Sequence, residues 1–210
     1  MKRIILLLGI LFWSWGVSPS KAKEPNGIKL HLSPVMEPPA ASGNLALRLK
    51  ATSERPVPIR INFWSAVQFV LEDANGKTLE WTNSGSDSLR TPPPPEAIPS
   101  LGDSGVVDLS ITVTSGTTEK EGVSASFILV RTKWGLVWNR TSLPEGDLYL
   151  RAKVKGNRHL DPSSFLYYAI TKGIGKEGYA QIYEDHLLSN PVRLHRNEDG
   201  RLTASAPEAR

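Results

Sequence analysis

The sequence predicts an all-β fold: an antiparallel β-sandwich interrupted by one short helix near residues 162–172. Three observations predict it. Apolar and polar residues alternate with period two in segment after segment, the pattern of strands with one face in a core and one in water. Clusters of Gly, Pro, Asn and Ser separate these segments, and seven or eight short strands so punctuated indicate a sandwich or barrel. Helices do not alternate regularly with strands, which argues against a doubly wound parallel sheet.

The chain begins MKRIILLLGILFWSWGVSPSKA. Lys2 and Arg3 make a basic start, Ile4–Val17 an apolar run, and Ser20 and Ala22 place small residues before a possible cut. That is the layout of a secretory signal peptide over residues 1–22. Its apolar run is shorter than the ~20 residues of a spanning helix. Residues 23–197 are expected to form one domain, secreted or periplasmic and free of the membrane once the leader is cut. Residues 198–210 read as a flexible polar tail. The chain has no cysteine, which excludes disulfides, thiolate nucleophiles and cysteine metal sites. The leader carries three basic residues and no acidic one, so its loss lowers the net charge of +4 by three. Nothing then points to a nucleic-acid partner, which would need a clustered basic face.

Taken in order, IKLHL puts Ile28, Leu30 and Leu32 on one face. LALRLKA does the same with Leu45, Leu47, Leu49 and Ala51, and VPIRINF with Val57, Ile59, Ile61 and Phe63. Trp64 is therefore expected on the outward side. In FVLEDANGKTLEW a two-residue Asn-Gly turn would set Leu71 opposite Glu80. A three-residue loop, Ala74 to Gly76 with Gly76 left-handed, instead sets Leu71 opposite Leu79 and Phe69 opposite Trp81. A one-residue slip exchanges the faces, so the apolar match selects the longer loop. RTPPPPEAIPSLGDSG is a loop stiffened by four consecutive prolines.

VVDLSITV aligns Val107, Leu109, Ile111 and Val113. TSGTTEKEG reads as a solvated loop, and FILVRTKWGLVW as a strand buried on both faces. In SLPEGDLYLRAKVKG a Pro-Glu-Gly turn opens into Leu148, Leu150, Ala152 and Val154 on one side and Tyr149, Arg151 and Lys153 on the other. DPSSFLYYAITKG supplies Asp161 as N-cap, Pro162 in the first turn and Gly173 as a stop. Phe165, Leu166, Ala169 and Ile170 fall on one face of that helix. SNPVRLH reads as the last strand.

Four of these pieces, LALRLKATSERPVPIRINF, VQFVLEDANGKTLEW, LPEGDLYLRAKV and SNPVRL, resemble in order the bacterial extracytoplasmic immunoglobulin-like domains of the BsuPI-like kind, named after a proteinase inhibitor. They span roughly residues 45–195. The resemblance implies an immunoglobulin-like sandwich and, with it, inhibition of a proteinase. One departure is visible: where such folds often carry a corner tyrosine, two residues before an inward site, this chain has Leu148.

Motifs for chemistry are sparse. GIGKEG has the letters of a dinucleotide loop, but that loop works only between a strand and a helix. Here it follows the helix and reads as a flexible loop, so no cofactor is expected. His31, His159, His186 and His195 never adopt the H-x-x-x-H spacing of a helical metal site. Glu184, Asp185 and His186, like His159 with Asp161, read as solvated charge, and no metal is expected. No serine lies in G-x-S-x-G, and no catalytic residue is assigned. Asn139–Thr141 is a glycosylation sequon. Aromatics remain: Trp64, Trp134, Trp138, Tyr167 and Tyr168 are the candidate binding residues, because flat exposed rings stack on sugars or anchor proteins. The expected function is a non-catalytic binding or interaction module for a protein or glycan. The alternatives are a proteinase inhibitor presenting TPPPPEAIPS and a carbohydrate-binding module.

Overall fold

The structure, a computed structural model, describes residues 27–35, 44–54, 57–86, 91–102, 104–120, 123–156, 160–197 and 202–205. The leader assigned to residues 1–22 lies outside them. Along the chain run β1 (Ile28–Pro34), β2 (Asn44–Ser53), β3 (Val57–Arg60), β4 (Val67–Asp73), β5 (Thr78–Leu79), β6 (Asn83–Ser86), β7 (Ser100–Gly102) and β8 (Val106–Lys120). There follow β9 (Val123–Thr132), β10 (Leu136–Thr141), β11 (Leu148–Val154), helix α1 (Phe165–Ala180), β12 (Leu187–Leu188), β13 (Val192–Arg196) and β14 (Leu202–Ser205).

The strands make two main antiparallel sheets, β1-β2-β8-β9-β10-β6 and β14-β13-β11-β4-β5, with β12 added to β11 and a separate pair, β3 with β7. Pairing β2 with β8, and β11 with β4 on one side and β13 on the other, reproduces the strand neighbours of an immunoglobulin sandwich. The departure lies in the first sheet. The β9–β10 hairpin is inserted between β8 and β6, so β6 pairs with β10.

Alternation buries one side of β1, β2, β4 and β11. Leu148, Leu150, Ala152 and Val154 meet Leu47, Leu49, Leu109 and Ile111 of the facing sheet in one core. The β4–β5 hairpin has the register that apolar matching requires, Leu71 opposite Leu79, with Gly76 left-handed at φ 77°. Trp81 lies beyond β5, and its indole N–H donates to the carbonyl of Phe69 at 2.7 Å. An edge device closes the sandwich. The Asn190 side chain accepts from Leu32 N–H at 2.9 Å and donates to Leu32 O at 2.8 Å, pairing with β1 as a strand would.

Four expectations need correcting. FILVRTKWGLVW is a hairpin rather than a doubly buried strand: Gly135, at φ 80°, turns the chain between β9 and β10. TSGTTEKEG is mostly strand, because its threonines are β-branched and suit the pleated surface of the long β8–β9 ladder. Part of the presumed tail is β14, which pairs with β13 and anchors a buried Leu202. Helix α1 begins at Phe165 and runs past Gly173 to Ala180, bending at Gly175 where φ is 75°.

Candidate functional site

Helix α1 is an addition to the sandwich, and its start is set by two side chains. Asp161 accepts the backbone and hydroxyl hydrogens of Ser163 at 2.8 Å, which forms a turn ahead of the helix. These bonds hold its carboxyl below the usual carboxylate range. Ser164, not Asp161, is the N-cap, and its hydroxyl accepts from Tyr167 N–H at 3.2 Å.

A second, smaller core docks the helix: Trp64, Ala97, Ile98, Ala169, Ile170, Tyr179 and Ile182. Arg60 secures the chain that leaves it. Its N–H donates to Gln181 O at 2.8 Å and its carbonyl accepts from Tyr183 N–H at 3.0 Å. Its guanidinium donates to Ile98 O at 2.9 Å. Two glycines of GIGKEG therefore serve packing: a side chain on Gly173 would meet the Pro93 carbonyl, and one on Gly178 would crowd Ile174 and Arg60.

The five aromatic candidates divide. Trp64, expected outward, is 2% exposed in the second core. The cause is Asn62, whose side-chain oxygen accepts from Trp64 N–H at 3.1 Å and Ser65 N–H at 3.0 Å. That turn ends the alternation one residue pair early. Trp138 is 7% exposed, with its ring edge-on to Phe69 at 4.8 Å in the main core. Tyr167 is half-buried, edge-on to Tyr179 at 4.8 Å. Trp134 is half-buried beside both cores, with Lys133 Nζ 4.8 Å above its ring. Tyr168 alone is open, at 56%.

What surrounds Tyr168 was not foreseen. Phe165, one turn away, is also 56% exposed although the helical pattern assigned it to the face of Ala169 and Ile170. Lys172 lies 5.6 Å from the Tyr168 ring and donates to its hydroxyl at 3.4 Å. Among the described residues the other large exposed apolar side chains, Val106 and Leu188, stand on separate strands. Phe165, Tyr168 and Lys172 therefore make a helical stripe at spacings of three and four, two open rings and a cation.

Other candidates converge less. Among the described residues no three His, Asp or Glu side chains lie close enough to hold a metal ion. His159 lies outside them. In the stretch assigned to an inhibitory loop, Pro93, Ala97 and Ile98 are buried under α1. Among the described residues no helix is long and apolar enough to cross a membrane. Compared with family models, curated proteins and solved structures, the chain shows no significant match.

Proposed function

We propose that the chain is an exported, non-catalytic binding module that docks a protein partner on the α1 stripe. One observation carries the reading: two large aromatic side chains, Phe165 and Tyr168, stand open on adjacent turns of a helix whose opposite face is packed. Leaving such rings in water forgoes the burial energy that every neighbouring large apolar residue gains, roughly 25 cal/mol per Å². Aromatic anchors are what binding hot spots use. Lys172 beside the stripe favours a partner surface that combines an apolar pocket with a carboxylate. Export rests on the leader pattern of residues 1–22.

Affinity capture with the full chain tests this, run on wild type, a Phe165→Ala/Tyr168→Ala double variant and Leu188→Ala. Leu188 is as exposed as the two rings but lies elsewhere. The partner should bind wild type and the Leu188 variant and lose about 2 kcal/mol or more with the double variant. A captured set that the double substitution leaves unchanged would contradict the reading. A glycan array that distinguishes wild type from the double variant would make the occupant a glycan instead.

A further inference from the structure

The outer face of the first sheet divides into a charged half and an uncharged one. Lys29, Arg48, Lys50 and Asp108 stand on β1, β2 and β8, with ion pairs from Lys29 to Glu54 and from Arg48 to Asp108. Past Arg131 the charges stop. One row across the strands reads Asn44, Thr114, Leu129, Asn139 and Asn83, and the next Gly116, Phe127 and Thr141. The alternation that sends Ile128 and Val130 into the core turns Phe127 and Leu129 outward.

A hollow of about 320 Å³ lies in the uncharged half, lined by Thr118, Phe127, Leu129, Asn139 and Thr141. Thr118 is exposed, and Phe127 and Leu129 are half-buried, so all three reach solvent there. A glycine makes the floor. Gly116 has no side chain to stand between Thr114 and Thr118, and the Phe127 ring lies over it, with Cε1 and Cζ 3.1 and 3.3 Å from the place of a Cβ. Asn139 also lines a second hollow of about 280 Å³, with Asn83, Ser84, Val137 and the exposed Arg131. Thr141 and Val137 are four strand steps apart, so the two hollows form a trough about 13 Å long.

The lining selects the occupant. With Arg131 its one charged group, the trough gives little hold to a nucleic acid or an anionic lipid surface, both of which need clustered cations. Hydroxyl and amide side chains along its walls both donate and accept, which suits a ligand covered in hydroxyl groups. A half-open ring between them offers a flat surface to the C–H face of a sugar. We infer that the trough binds a neutral oligosaccharide chain. One sugar residue stacks on Phe127 between Thr118 and Thr141, and the chain runs on past Asn139 toward Ser84 and Arg131. This site is separate from the α1 stripe and does not depend on it.

The test is a glycan array probed with the full chain, carrying neutral gluco-, manno-, xylo- and chito-oligosaccharides beside sulfated ones, then titration calorimetry with the best neutral chain. A neutral chain should bind, and its affinity should not fall with salt, since the ligand carries no charge. Phe127→Leu keeps an apolar cover on Gly116 but loses the flat face, and should weaken binding roughly tenfold. Thr118→Val removes one hydroxyl at an exposed strand position that valine suits. It should weaken binding about fivefold without lowering the melting temperature. If Phe127→Leu unfolds the chain, Thr118→Val decides alone. The Phe165→Ala/Tyr168→Ala variant should bind the oligosaccharide as wild type does, which separates this site from the α1 stripe. No neutral oligosaccharide bound, a preference for sulfated chains, affinity that survives either trough substitution, or loss with the α1 variant would each overturn the inference.

Discussion

Asp147 ties together the outer face of the second sheet. It accepts from Arg193 Nη2 at 2.6 Å and meets His195 Nδ1 at 2.9 Å, both side chains rising from β13. The Arg193 hydrogen bond, then that of His195, holds its carboxyl below the ordinary value of 3.8 against the opposing effect of burial. A carboxylate lowered by folding stabilises the native state above its unfolded value, and that contribution is lost as pH falls through the lowered value. Arg193 is 44% exposed at its side chain, so solvent screening limits the pair to about 0.5–1 kcal/mol. Asp147→Asn should therefore cost about that much at neutral pH, by urea unfolding. The difference should shrink toward zero as pH drops below the ordinary carboxylate range. A gap that stays constant into acid would show that the ion pair is not its source.

Among the elements, helix α1 sets local preference against packing. Gly173→Ala would raise helix propensity by about 1 kcal/mol. It would also drive a methyl group into the Pro93 carbonyl, and overpacking of this kind costs about 1–3 kcal/mol. Packing should win, because the methyl group would meet backbone that cannot give way, and chemical denaturation should find the variant less stable by up to about 2 kcal/mol; a stabilised variant would mean that the helix does not press on the proline run. The same competition explains what the sequence could and could not reveal. The β4–β5 register was legible because matching Leu71 to Leu79 is a local, two-strand decision. The end of α1 was not, since Gly173 has the composition of a stop but serves as a contact with a distant loop. Trp64 was misplaced because one buried side chain, Asn62, outweighs a period-two pattern. Strand β14 gave only Leu202 and Ala204 as signal within a polar segment. Of the candidate site, Tyr168 was legible as an aromatic in an irregular segment. Phe165 and Lys172 depended on the helical phase, which tertiary docking of Ala169 and Ile170 decides.

At the scale of the whole molecule, two cores share the chain's aromatics. The sandwich core takes Phe69 and Trp138, and the smaller core under α1 takes Trp64 and Tyr179. Each burial removes a ring from the surface, and among the described residues the two rings left most open, Phe165 and Tyr168, stand on one helix attached to the sandwich through Arg60. That partition is the physical basis for reading the molecule as a scaffold that presents α1. Light-induced nuclear polarisation of accessible Tyr and Trp rings tests it most directly in the free protein. The account predicts strong polarisation of Tyr168 and none of Trp64 or Trp138. A silent Tyr168, or a strongly polarised Trp64, would contradict it.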